Sequence, residues 1–267
     1  MDIDGMAAVI TGGATGMGAA AATALAARGA KVTILARRRE QVEAKAREIG
    51  ALGLACDIAN PDEVAAAFEA AEAAHGTARI CINCAADGRP ATILYPDGRP
   101  FPAHIFGEVI GTNLLGTMYV AQAFASRLVK ATELEGVGRG VLINVSSNSA
   151  EDGMVGAAYV SSKAGVDALT LSLAREFSPW GIRVMTIVPG AVDTEMMRAA
   201  AGPESYEYME KGYVYPRRMG KPGEFAGLAV HIIENDFLNG TRIRLDGGLR
   251  VYFTGGFVRK PDEISGA

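Results

Sequence analysis

The chain has 267 residues, 49% of them hydrophobic and 21% charged, with 33 glycines and a formal net charge of −4. These values fit a globular chain, exclude wholesale disorder and collagen-like repeats, and argue against a general nucleic-acid binder, which carries a basic domain. Three cysteines cannot build a disulfide framework, which points to a cytoplasmic setting; residues 1–6 hold no basic stretch before an apolar core, and no apolar run reaches the ~18 residues of a membrane span.

Short apolar runs alternate with longer helical patterns. Met6–Thr11 reads as a buried strand, Gly16–Arg28 as an alanine-rich helix, Lys31–Ala36 as a second strand and Arg38–Ile49 as a charged amphipathic helix. Leu52–Ile58 is a third strand. Asn60-Pro61-Asp62-Glu63 then carries an N-cap, a proline at the first helical position and acids in the first turn, starting a helix that runs to His75. Arg79–Cys84 is a fourth strand, followed by a loop with four prolines over 86–103 and one long helix over Ala103–Ala131. Val141–Ser146 is a fifth strand, Gly156–Ser178 a helix and Arg183–Val188 a sixth strand. A segment of mixed character over 190–220 precedes a helix at Lys221–Glu234 and a last short strand at Arg242–Leu245. Strands alternating with helices predict an α/β fold: one doubly wound parallel sheet of about seven strands, with helices on both faces. Without a repeat or a composition break, a single domain over 1–267 is expected. Loops as long as 86–103 and 190–220 are expected to shape a substrate site. The tail from Tyr252 is expected to be partly extended, over a neighbouring subunit.

Thr11-Gly12-Gly13-Ala14-Thr15-Gly16-Met17-Gly18 lies between the first strand and the first helix. Glycine allows backbone to approach a ligand closely, and the free N–H groups and positive dipole end of a helix N-terminus favour a pyrophosphate. Such a turn is also simply a tight turn, but its place in a βα unit makes it a cofactor cradle. No Gly-Lys-Ser/Thr follows, which excludes a Walker-type site. The second strand ends at Ala36, where an acid would accept from the ribose of NAD; Arg37, Arg38 and Arg39 follow instead. Guanidinium groups grip phosphate in bidentate fashion, so NADP is favoured and NAD kept as the alternative. The same arginines also suit the start of a solvated helix.

Tyr159 and Lys163 stand four residues apart at the start of a helix, on one face, so an ammonium can sit beside a phenol. A nearby positive charge favours the phenolate, which fits tyrosine for proton exchange with an alcohol/ketone pair. Asn144-Val145-Ser146-Ser147 and Asn83-Cys84-Ala85-Ala86 close two strands at the same sheet edge, Asn113 lies within the long helix, and Pro189-Gly190-Ala191-Val192-Asp193-Thr194 follows the sixth strand.

Together these motifs resemble the short-chain dehydrogenase/reductase family, from Thr11 to about Gly248. The resemblance implies hydride transfer between a nicotinamide cofactor and a secondary alcohol or ketone, in a homotetramer or homodimer. It makes Tyr159 the general acid/base and has Lys163 lower its pKa and hold the nicotinamide ribose. A serine of the 146–147 pair steadies the substrate oxygen, and Asn113 holds a proton-relaying water. It sets Gly12, Thr15, Gly16, Met17 and Gly18 around the pyrophosphate. Arg37, Arg38, Asp57, Ile58, Asn83 and Ala85 fall on the adenosine side, and Pro189, Val192 and Thr194 at the nicotinamide. The family's usual serine–tyrosine gap of 13 residues points to Ser146; alignment on the strand end points to Ser147, which is preferred. The family commonly has Asn-Asn-Ala-Gly where this chain has Asn83-Cys84-Ala85-Ala86. Gly181–Ile187, Ile232–Gly240 and Arg244–Gly247 resemble the branch of hydroxyacyl-CoA and 17β-hydroxysteroid dehydrogenases, which implies an acyl-CoA, steroid or similarly apolar substrate. Arg89, Arg99, Arg217 and Arg218 lie in the two long segments, where they either meet a CoA phosphate or stay solvated.

Other features carry less. Cys81 and Cys84 are spaced i, i+3 on a strand, so they face opposite sides of the sheet, which argues against a redox or zinc pair. His75, His104 and His231 form no ligand spacing, so no metal is expected. Met196, Met197, Tyr206, Tyr208, Tyr213 and Tyr215 lie in the second long segment, as pocket lining or ordinary packing. The rival readings are a catalytically silent dinucleotide sensor on the same fold and an Ado-Met methyltransferase; neither requires the Ser, Tyr, Lys and Asn set.

Overall fold

The computed structural model describes residues 1–89, 91–200 and 211–250. The strands are β1 (Ala7–Thr11), β2 (Lys31–Ala36), β3 (Leu52–Ala55), β4 (Ile80–Asn83), β5 (Gly140–Val145), β6 (Ile182–Pro189) and β7 (Arg242–Leu245). They form one parallel sheet in the order β3-β2-β1-β4-β5-β6-β7. Every residue of β1, β4, β5 and β6 is buried, as expected where helices cover both faces of a parallel sheet.

The crossovers are α1 (Gly16–Ala26), α2 (Arg39–Ile49), α3 (Pro61–His75), α4 (Ala103–Ile110), α5 (Gly116–Leu128), α6 (Ser149–Asp152), α7 (Ala157–Phe177), α8 (Glu195–Ala200) and α9 (Pro222–Glu234). Strand side chains alternate between two cores. Ala8, Ile10, Ile34, Ile82 and Ile143 pack with Leu25 of α1, Val42 of α2 and Phe225 of α9. Val9, Leu35, Cys81 and Leu142 pack with Phe68 of α3, Phe124 of α5 and Phe177 of α7. Burying a large apolar side chain contributes roughly 1.5–3 kcal/mol, so these two layers hold the sheet between its helices. Cys81 and Cys84 diverge: Cys81 lies in the second core and Cys84 packs against the first. At α3 the Asn60 side chain accepts from the N–H groups of Asp62 and Glu63.

Several boundaries differ from the sequence expectation. The helix expected over Ala103–Ala131 is divided into α4, a π-helical turn at Gly111–Leu115 and α5, with Asn113 in the wide turn. The third strand stops at Ala55, and Asn60 N–H donates to Asp57 to form a turn in place of further pairing. Two short helices, α6 and α8, occupy stretches read as loop. The long 86–103 segment is held by a small antiparallel bridge, Leu94 to Pro100, and by a tilted contact between the Tyr95 and Phe101 rings. Tyr206, Tyr208 and the tail from Tyr252 lie outside the described residues. Among the described residues no helix is long and apolar enough to cross a membrane.

The strand order reverses at β1 and β4, and the parallel register brings Thr11, Asn83 and Asn144 side by side at the carboxyl ends. In open parallel sheets ligands bind in the crevice outside that edge.

Candidate active site

A cleft of about 1530 Å³ opens at this edge. One end is the β1–α1 turn. Gly12 has φ +64°, and a Cβ there would fall 2.8 Å from the Ala85 nitrogen, so only glycine fits where this turn meets the end of β4. A Cβ on Gly18 would collide with the Gly12 carbonyl, so α1 starts pressed against the same turn. Thr15, the N-cap of α1, is extended and makes no side-chain cap bond. Thr15, Gly16, Met17 and Gly18 all line the cleft, so the uncapped helix start lies on its wall. Free N–H groups and a positive dipole end fit the pyrophosphate of a dinucleotide.

Beyond it, Arg37, Arg38, Asp57, Ile58 and Ala85 line the cleft. Arg39 pairs with Glu43 at 3.5 Å, whereas Arg37 and Arg38 are exposed and form no ion pair among the described residues. Asp57 Oδ1 accepts from the Ala59 N–H at 3.0 Å and thereby shapes its own turn. Asn83, expected on the adenosine side, is not on the cleft wall. It is 4% exposed and donates to Asn144 Oδ1 at 2.9 Å, because strand register pairs it with β5; Cys84, one residue on, reaches the wall instead.

The other end holds Ser147, Tyr159 and Lys163, all on the wall. α7 carries Tyr159 and Lys163 one turn apart, with the Lys163 nitrogen 5.9 Å from the phenol ring centre. Lys163 Nζ donates to the Val145 carbonyl at 2.8 Å, fixing the helix against the end of β5. Burial drives the Lys163 ammonium down to about 8, against weaker opposing effects of Cys84 and Asp167. The neighbouring Cys84 thiol is pushed up to about 12 by burial, opposed by Lys163, and so stays protonated. Burial also raises the Tyr159 phenol, opposed by its hydrogen bond with Ser147. The resemblance implied a phenol lowered by Lys163; the net direction here is the reverse, because desolvation of the phenolate outweighs other effects. The phenol is thereby a proton donor as it stands.

The two serines divide. Ser146 also lines the cleft, but its hydroxyl donates to the Lys163 carbonyl at 3.0 Å, a helix-docking bond. Ser147 is the one that meets Tyr159. Asn113 is fully buried and stands behind the wall. It accepts from Asp87 N–H at 2.7 Å and donates to the Asp87 carbonyl and to Ser162 Oγ, each at 3.0 Å. The π-helical turn thus clamps the β4 loop to α7, and no bond from Asn113 to Lys163 occurs among the described residues. Pro189, Val192 and Thr194 line the cleft between its two ends, with the Thr194 methyl against Gly16.

Both long segments contribute to the wall: Thr92, Leu94, Tyr95 and Pro96 from one, Met197 and Lys211 from the other. The four arginines singled out there do not. Arg89 binds Asp87 and Glu108, Arg99 binds Asp97 and Arg218 binds Glu224, while Arg217 lies off the wall. Besides Arg37, Arg38 and Lys163, the wall carries Lys211 and Arg250, which sequence reasoning missed along with Ser149, Gln41 and Leu249. Ser149 had a visible signal, its place two residues past Ser147; the others had none.

The profile of the short chain dehydrogenase family matches residues 6–204. Human 3-hydroxyacyl-CoA dehydrogenase type-2 is 37% identical over 254 residues, covering 93% of this chain and 97% of the relative. Ipsdienol dehydrogenase of Ips pini is 34% identical, over 91% of this chain and 96% of its own. The crystal structure of 3-hydroxyacyl-CoA dehydrogenase type-2 from Mycobacterium avium superimposes with a TM-score of 0.87 at 34% identity, over 94% of this chain and 99% of that one. A family match across most of the chain, backed by dehydrogenases that align almost end to end, makes this protein a short chain dehydrogenase: an oxidoreductase that moves hydride between a nicotinamide cofactor and an alcohol/ketone pair.

Proposed function

We propose that the protein reduces a ketone on an apolar molecule with NADPH as the hydride source. The observation that carries this reading is one cleft joining the uncapped start of α1 to the Ser147–Tyr159–Lys163 cluster. A nicotinamide bound there supplies or accepts the hydride. Ser147 and the protonated Tyr159 donate hydrogen bonds to the substrate oxygen as it gains charge, and Tyr159 passes its proton to that oxygen. Lys163 holds positive charge beside the phenolate left behind and donates to the nicotinamide ribose. Asn113 keeps α7 and the β4 loop in register. The preference for NADP rests on Arg37 and Arg38, cations with no ion pair among the described residues at a strand tip that lacks an acid. Leu94, Tyr95, Pro96, Met154, Val155 and Met197 on the wall support an apolar substrate, and the relatives' names bring 3-hydroxyacyl-CoA and ipsdienol into range. A homotetramer or homodimer is the assembly this reading carries; Leu115 and Met118, exposed on the π-helical turn and α5, support a face between copies.

Hydride transfer from NADPH and NADH to a panel of ketones, including acetoacetyl-CoA and ketosteroids, tests the proposal. We expect turnover with NADPH preferred, and a preference that falls at least about tenfold in Arg37→Ala. Turnover with NADH as the better cofactor, unaffected by Arg37→Ala, would contradict the cofactor assignment.

A further inference from the structure

The Ser147 hydroxyl is held from one side. Its oxygen accepts from the main-chain N–H of Ser149 at 3.2 Å, and it lies 2.6 Å from the Ser149 hydroxyl. Ser149 is 2% exposed, opens α6 and lies on the cleft wall. The short helix that carries it is itself pinned: Arg244 on β7 reaches Glu151 at 2.6 Å and Asp152 at 3.1 Å, and the Gly153 N–H returns to the Ser149 carbonyl at 3.1 Å. A buried hydroxyl on an anchored helix turn, 2.6 Å from a catalytic one, is not a solvated surface serine.

A hydroxyl has one proton and two acceptor lone pairs. The Ser149 N–H occupies one lone pair of Ser147. The 2.6 Å contact can run either way. If Ser147 donated, its proton would be spent on Ser149 and unavailable to the substrate. If Ser149 donates, both lone pairs of Ser147 are filled and its proton is free to point across the cleft. On that other side Ser147 faces Tyr159, which lines the same cleft.

We propose that Ser149 is a positioning residue for the reaction: by donating its hydroxyl proton to Ser147 it makes Ser147 an obligate donor toward the oxygen that gains charge. This rests on the reading of Ser147 given above. A hydride-accepting carbonyl needs donors in its oxyanion pocket, and a serine free to rotate offers an acceptor as often as a donor. Ser149, acting with its own main-chain N–H, removes that choice before substrate arrives.

The test is a double-mutant cycle on ketone reduction, using a ketone established for the wild-type enzyme. The four proteins are wild type, Ser147→Ala, Ser149→Ala and the double variant, with Ser149→Thr as the conservative replacement. We expect Ser149→Ala to lower kcat about three- to tenfold with KM little changed, the size of one lost hydrogen bond. Ser149→Thr should restore kcat, and Ser149→Ala should cost nothing further once Ser147 is alanine. NADPH affinity, read by fluorescence titration, should be the same in all. An equal loss from Ser149→Ala in both backgrounds, or no loss in either, would overturn the proposal. Full turnover by Ser147→Ala would instead remove the reading of Ser147 beneath it. If Ser149→Ala does not fold, Ser149→Cys keeps the side-chain length with a weak donor and carries the same cycle.

Discussion

Asn113 and Ser162 are joined by a 3.0 Å hydrogen bond that ties a π-helical turn to the helix bearing Tyr159 and Lys163. The Ser162 hydroxyl in turn donates to the Tyr159 carbonyl at 2.7 Å. The position of the phenol is therefore set through two hydrogen bonds from a residue that does not reach the cleft.

Replacing Asn113 by alanine removes one bond to Ser162 and two to the Asp87 main chain, all buried. We expect a loss of about 2–4 kcal/mol of stability, since buried main-chain groups are left without partners. Urea denaturation measures it. Asn113→Ala with wild-type stability would show that the clamp is not structural.

Lys163 is 4% exposed, with a pKa near 8 against an ordinary 10.5. Below pH 8 the folded and unfolded chains both hold the proton, and the full cost of burying the charge is present. Between 8 and 10.5 the unfolded chain keeps the proton and the folded one releases it, so this group's contribution to stability rises with pH. A difference of this size corresponds to about 3 kcal/mol. Lys163→Met should therefore gain on wild type at neutral pH, and the gap should narrow above pH 8. Denaturation of both proteins across that range reads the slope; a gap independent of pH would contradict the assignment.

Gly12→Ala places a Cβ at φ +64° and 2.8 Å from the Ala85 nitrogen. Strain of this kind costs on the order of 1–3 kcal/mol. Cofactor affinity should fall with stability, because turn and β4 end would separate at the cradle. Isothermal titration with NADPH and NADH checks this; unchanged binding would mean that the turn does not touch the cofactor.

Much of the architecture could be read from residue pattern. β4 and β6 are short, mostly apolar runs of β length between turn signals, and Asn60-Pro61-Asp62-Glu63 starts α3 as its chemistry demands. The glycine turn, Tyr159 and Lys163 meet in one cleft because local spacing fixes each of them relative to its own strand or helix. Features set by packing between distant elements were not legible. The sequence of residues 103–131 reads as one helix, whereas the wide turn holds Asn113 where it bonds Asp87, 26 residues before it, and Ser162, 49 residues after it. Asn83 sank below the wall because its partner is Asn144, 61 residues away. The loop arginines found local carboxylates, which composition alone does not reveal.

The central claim is that Tyr159 delivers the proton that accompanies hydride transfer. Tyr159→Phe keeps the ring and its packing and removes only the hydroxyl. Single-turnover oxidation of NADPH by this variant, with a ketone that wild type reduces, tests the claim most directly. We expect binding of NADPH unchanged and the rate down about a hundredfold or more. A wild-type rate in Tyr159→Phe would contradict the account.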